Sequence, residues 1–214
     1  GYNTGLANGD IGTTVASYTM LIAADNFYGE GFTVRNDYDW INSTSAKRQN
    51  VALSRTAGDC IVLNNVALEG VENVYFSKKT KGRVYMKNCR FLGGSDIITS
   101  GGTVVMDSCL FNVIEGGKSL SAAFPSEYDF GIVLLNSNVM LADTTGFYPA
   151  AENTYLVGHP KKDDVKISMK DCFFESGILN ALAWSKDMGN VVAEKVDFNE
   201  CGTKFMSQEE ALAG

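Results

Sequence analysis

The chain has 214 residues, 45% of them hydrophobic, which is enough for one domain with a substantial core. Its formal net charge of −7 and pI near 4.8 argue against nucleic acid as a partner, although local basic clusters leave an acidic sugar open. No stretch approaches the roughly 20 apolar residues of a membrane span, and the opening GYNTGLANGD has neither the basic nor the apolar region of a signal peptide.

In chain order, YTMLIAADNFYGEGFTVRND (18–37) introduces a rhythm of short alternating apolar runs separated by a polar turn residue. The same phrase returns as IVLNNVALEG (61–70), RVYMKNCRFLGG (83–94), TVVMDSCLFNVI (103–114), GIVLLNSNVM (131–140), VKISMKDCFFES (165–176) and VVAEKVDFNEC (191–201). Period-two alternation rich in β-branched and aromatic residues predicts strands. The Asn, Asp or Ser between the paired strands suits a tight bend, because these residues tolerate the left-handed region. Regions 116–129 and 143–164 break the rhythm and are expected to be loops leaving the stack. A short helix is expected only at Ser207–Ala213, in a C-terminal tail covering 203–214.

Three further segments, QNVAL (49–53), GVENVYF (70–76) and GGSDIIT (93–99), carry polar residues at one period: Gln49 precedes Glu72 by 23 residues, and Asn73 precedes Asp96 by 23. A fixed period in the twenties without hairpin signals predicts stacked coils, an all-β, right-handed parallel β-helix forming a single domain over 1–214. Stacking would gather Gln49, Glu72, Asn73 and Asp96 into one patch, neighbours being roughly 4.8 Å apart.

The five cysteines form no CxxC pair, so a zinc site is not expected. Cys89 and Cys109 occupy equivalent places in successive phrases and are expected to stack as small interior side chains rather than to bridge. Lys78, Lys79, Lys81 and Arg83 form one basic cluster, and His159, Lys161 and Lys162 another. Both fit solvated loop charges as well as sugar-binding ones. His159 is the only histidine.

In these segments the chain resembles the pectinesterases (pectin methylesterases), from about Ser17 to Thr203. QNVAL is similar to that family's QAVAL, GVENVYF to G-Y-Q-D-T-L-Y, and SDIITSG to V-D-F-I-F-G. Arg83-Val84-Tyr85 resembles R-Q-F/Y, TYLVGHPK (154–161) resembles T-Y-L-G-R-P-W, and Trp184 with VAEKVDFNE (192–200) resembles the family's closing stretch. The resemblance implies a pectin-lyase-like β-helix whose first coils would precede Gly1, no cofactor, and a pectin or polygalacturonate partner. It also implies a secreted or cell-surface location, and it leaves room for further domains of a larger chain.

The chemistry implied by the resemblance is ester hydrolysis through an aspartate nucleophile. Asp96 takes the nucleophile's place and Gln49 that of an oxyanion donor. Glu72 stands where the family has a second glutamine, Asn73 where it has the acid/base aspartate, His159 at its arginine and Lys161 at its tryptophan. Trp184 is the candidate sugar-stacking aromatic. An ionised Glu72 donates no hydrogen bond, and Asn73 has no proton to shuttle. His159 is one candidate to supply the missing proton traffic beside Asp96. Lys161 is a candidate for contacts with galacturonate carboxylates. Three readings follow: an esterase with altered machinery, a glycan-binding module that kept the cleft, or a structural solenoid of a larger surface protein.

Overall fold

The computed structural model describes residues 17–37, 50–114, 119–142, 156–175 and 196–206. Within them the chain forms twenty strands in three parallel sheets. Sheet 1 runs β1 (Met20–Ile22), β4 (Leu53–Arg55), β7 (Tyr75–Ser77), β10 (Ile98–Ser100), β13 (Ser119–Ala123) and β16 (Leu156–Pro160). Sheet 2 stacks β2 (Tyr28–Glu30), β5 (Ile61–Asn64), β8 (Arg83–Lys87), β11 (Thr103–Asp107), β14 (Ile132–Leu135), β17 (Val165–Lys170) and β19 (Val196–Cys201). Sheet 3 stacks β3 (Thr33–Arg35), β6 (Ala67–Glu69), β9 (Arg90–Gly93), β12 (Leu110–Val113), β15 (Asn138–Leu141), β18 (Phe173–Glu175) and β20 (Lys204–Met206). From β1 to β18 each turn of chain contributes one strand to each sheet, and β19 and β20 add a further strand to sheets 2 and 3. The fold is the expected right-handed parallel β-helix.

The bend between sheets 2 and 3 shows why the repeated phrase folds this way. Asn65, Asn88, Ser108, Asn136 and Asp171 all have positive φ, between 48° and 55°. Their side chains tolerate the left-handed conformation that turns the chain sharply. The backbone amides of these residues still donate to the coil above, as Asn88 does to the Asp107 carbonyl at 3.1 Å. The bend therefore continues the hydrogen-bonded ladder instead of interrupting it.

Immediately after each bend a small side chain turns inward: Val66, Cys89, Cys109, Ser137 and Cys172 are all buried. The cysteines are free thiols, as the stacked arrangement predicted. Two residues further on, in sheet 3, Leu68, Phe91, Phe111, Val139 and Phe174 lie in register through five coils. The Phe91 and Phe111 rings stack at 4.6 Å and 7°. Each fully buried ring contributes roughly 1.5–3 kcal/mol of transfer free energy. In sheets 2 and 3 inward and outward residues alternate, as in the exposed-buried-intermediate-buried-exposed pattern of β8.

Sheet 1 differs. Every residue of β4, β7, β10 and β13 is buried. Leu53, Tyr75 and Ile98 join the interior core, so the next column, Ser54, Phe76, Thr99 and Ala122, faces the other way. These residues face outward yet are buried, so the outer face of sheet 1 is covered rather than open to solvent, and the candidate site lies along this recessed face.

Two segments expected to be loops contain strands of this sheet. Ser119–Ala123 is β13 and Leu156–Pro160 is β16, and both pair in parallel with their neighbours. The sequence SLSAA lacks β-branched and aromatic residues because its small side chains suit the recess rather than a broad apolar face. Lys204–Met206, placed in the tail by the sequence reading, is β20 at the edge of sheet 3. The expected helix at Ser207–Ala213 lies outside the described residues.

Candidate active site

The period of 23 becomes a physical stack at the start of β7, β10 and β13. Glu72 bridges Ser95, the Asn73 amide donates to the Ser95 carbonyl at 3.1 Å, and the Asp96 amide donates to the Ser119 carbonyl at 2.6 Å. Asn73, Asp96 and Ser119 are thus successive rungs. Asn73 and Asp96 both adopt left-handed backbone, with φ of 58° and 46°. This turns their side chains at the rim of the recess, one coil apart. Between β4 and β7 the strand register is 22 residues, Leu53 facing Tyr75, so within sheet 1 the exact period of 23 holds from β7 to β13.

Asp96 is 8% exposed. Its Oδ1 accepts a hydrogen bond from Ser119 Oγ, and its Oδ2 lies 3.2 Å from Lys161 Nζ. Lys161 follows β16 and holds the ladder one residue further, its amide donating to the Ala123 carbonyl at 2.9 Å. From there its side chain reaches Asp96 on β10's approach, two strands away in sheet 1. An ammonium group and a hydroxyl therefore hold one carboxylate, one on each oxygen.

Asn73 is held differently. Its Oδ1 accepts from Thr99 Oγ1 at 2.5 Å, and its Nδ2 donates to Glu72 Oε1 at 3.4 Å. The carboxamide thus links Thr99 on one side to Glu72 on the other. The segment beneath is pinned by Asn50, whose Oδ1 accepts from the Val71 and Glu72 amides. A side chain at Gly70 would collide with the Asn50 carbonyl, so glycine is required there for the coils to close up.

Of the sequence-predicted residues, the structure brings together Asp96, Asn73, Glu72 and Lys161. His159 pairs with Ala122 in sheet 1, two positions before Lys161 on the same strand direction, and its side chain lies outside the described residues. Gln49 and Trp184 also lie outside them. Ser119 was missed by the sequence reading. The signal was available, since one more step of 23 from Asp96 reaches it.

The first basic cluster divides. Lys78 Nζ lies over the rings of Phe76 and Phe124, at 5.6 and 5.5 Å from their centroids, on the recess side of sheet 1. Arg83 instead pairs with Asp59 at 2.5 Å on sheet 2 and stacks against Tyr128. That guanidinium holds the Asp59 carboxyl far below the usual carboxylate range. Beneath the cluster, buried Arg55 donates from Nη1 to the Gly58 and Lys81 carbonyls and from Nη2 to those of Lys79 and Gly101. Among the described residues no group of three or more His, Cys, Asp or Glu is placed to hold a metal ion.

A stacked-coil fold with a buried, cation-paired aspartate at the rim of one sheet defines a β-helix with a carboxylate-centred site. The pectinesterase family profile matches residues 2–208, and the chain belongs to that family. Over 100 residues it is 30% identical to probable pectinesterase 67 of Arabidopsis thaliana, a match covering 47% of this chain and 28% of that protein's length. The fold is shared with the pectin methylesterase PemA of Erwinia chrysanthemi, at a TM-score of 0.74 and 22% identity over 99% of this chain and 74% of that one. The Yersinia enterocolitica pectin methylesterase gives 0.75 and 20%, over 97% and 78%. A pectin methylesterase mutant solved in complex with a hexasaccharide gives 0.76 and 22%, over 95% and 69%.

Proposed function

We propose that this chain is a methylesterase of pectin-type polygalacturonate, with Asp96 as its nucleophile. The observation that carries the reading is the Asp96 carboxylate itself: buried in the recess, fixed by Ser119 on one oxygen, and paired with Lys161 on the other. A carboxylate must be ionised to attack an ester carbonyl. An adjacent ammonium and a donated hydroxyl both favour the charged form and fix its orientation. Attack forms an acyl anhydride with the galacturonyl group and releases methanol. Water then cleaves the anhydride and returns the carboxylate. Gln49 is the proposed oxyanion donor, a contribution worth roughly 10²–10³ in rate. Trp184 is the proposed stacking surface for a sugar ring, and Lys78 adds positive charge suited to a polyanionic chain. A polymeric cell-wall substrate goes with secretion or display at the cell surface.

One observation favours a second reading, a pectin-binding module without turnover. Asn73, hydrogen-bonded from Thr99, holds no proton for the leaving alcohol where the resemblance implies an acid. The two readings separate in one experiment. The esterase releases methanol from highly methyl-esterified pectin in proportion to enzyme and time. The binding module shows saturable, salt-sensitive retention on immobilised pectin with no methanol.

A further inference from the structure

The esterase reading leaves one chemical gap, because departing methoxide needs a proton and Asn73 has none to give. We propose that Lys161 is the general acid and base of this site. The proposal rests on the esterase reading and on three features of the lysine. Its Nζ lies 3.2 Å from Asp96 Oδ2, so it borders the carboxylate that forms the new bond. Its backbone is fixed by the sheet ladder through the Ala123 carbonyl, so the side chain that reaches Asp96 starts from an anchored point. Its side chain is 30% exposed against 11% for that of Asp96, so it can exchange protons with solvent between turnovers.

Among the described residues, the neighbouring groups Ser119, Asn73 and Glu72 fit the task less well. The Ser119 hydroxyl is committed to Asp96 Oδ1, and the Asn73 carboxamide lies between Thr99 and Glu72. Glu72 is an acceptor when ionised.

The steps balance. An Asp96 carboxylate oxygen bonds to the ester carbonyl carbon, and the carbonyl electron pair moves onto oxygen. Collapse of that oxyanion breaks the C–OCH₃ bond, and the Lys161 ammonium gives a proton to the departing oxygen. Methanol leaves, with an anhydride joining Asp96 to the galacturonyl group and a neutral amine at Nζ. A water molecule attacks the galacturonyl carbonyl and loses one proton to that amine. The bond to Asp96 breaks, restoring the carboxylate and the ammonium. The new galacturonic acid loses its remaining proton to solvent.

Arginine at this position keeps the positive charge but gives up no proton at working pH. Lys161→Arg therefore separates proton transfer from charge pairing. The expected result is a fall in kcat of about 10²–10⁴-fold with KM little changed. Lys161→Ala is expected to lose kcat to a similar extent and to regain part of it when a small primary amine such as ethylamine is added, because the amine occupies the vacated space and carries the proton. Both variants are first shown to melt cooperatively, as the wild type does. Wild-type kcat in Lys161→Arg would overturn the proposal and leave the lysine as a counter-charge alone. Failure of ethylamine to restore a folded Lys161→Ala, with an equal loss in His159→Ala, would overturn it in favour of the histidine. Absence of methanol release from the wild type would instead remove the esterase reading itself, so the two failures are distinguishable.

Discussion

Ser119 and Asp96 hold each other in both directions across one coil. The Asp96 amide donates to the Ser119 carbonyl at 2.6 Å, and Ser119 Oγ donates back to Asp96 Oδ1. Backbone and side chain thus fix the carboxylate at two points before the lysine is counted. Ser119→Ala removes one of these points and leaves the ladder bond intact. The expected outcome is a fall in kcat of roughly 10- to 100-fold, since a hydrogen bond to a charged group is worth about 1.5–3 kcal/mol. Methanol release measures it, with thermal melting as the control for folding. An unchanged rate would show that the lysine alone orients the carboxylate.

The buried Arg55 supports the wall carrying Lys78. It is 2% exposed and gives its guanidinium to four backbone carbonyls rather than to a carboxylate. Gly82, at φ 109°, packs so closely that a side chain there would strike the guanidinium. Arg55→Met leaves those carbonyls without their donor, at a cost of about 1–3 kcal/mol for each that water does not reach. A loss of about 3 kcal/mol or more in urea unfolding is expected. Proteolytic nicking should also appear within the 78–82 loop while the rest of the β-helix persists. Wild-type stability in Arg55→Met would contradict this account of the loop.

A pH effect on stability is expected from Asp107 on the outer face of sheet 2. Its Oδ1 accepts from Asn136 Nδ2 at 3.1 Å and Ser108 Oγ at 3.0 Å, and its Oδ2 from Tyr85 OH at 2.8 Å. These bonds, that from Asn136 first and that from Tyr85 next, lower the Asp107 carboxyl below its ordinary value of 3.8. A carboxyl whose folded value is depressed stabilises the fold above its unfolded value, and that contribution is lost as pH falls through the folded value. Asp107→Asn should therefore lower the melting temperature at pH 7 and match the wild type once the pH is well below 3.8. A difference that stays constant across this window would mean that the side chain acts by packing alone.

Much of this was legible in the sequence, for physical reasons that differ by sheet. Sheets 2 and 3 could be read because each bend demands a residue that tolerates positive φ. Asn65, Asn88, Ser108, Asn136 and Asp171 mark those bends. The alternation on either side then fixes which residues face the core. Sheet 1 was harder to read. The strand β13 is made of small residues apart from Leu120, and β16 follows after the step has lengthened from 23 residues to 37. A broken period hides which residue of the last coil meets Asp96. Lys161 was legible as a cation near the cleft, but its contact with Asp96 depends on a side chain reaching back across two coils. No spacing rule encodes such a reach.

The central claim is that Asp96 attacks the ester, and Asp96→Asn tests it most directly. Asparagine keeps the shape and can still accept from Ser119, but it cannot form the anhydride. With methyl-esterified pectin as substrate, the account predicts methanol release by the wild type and a loss of about 10⁴-fold or more in the variant, with retention on immobilised pectin preserved. Methanol release by Asp96→Asn at the wild-type rate would contradict it.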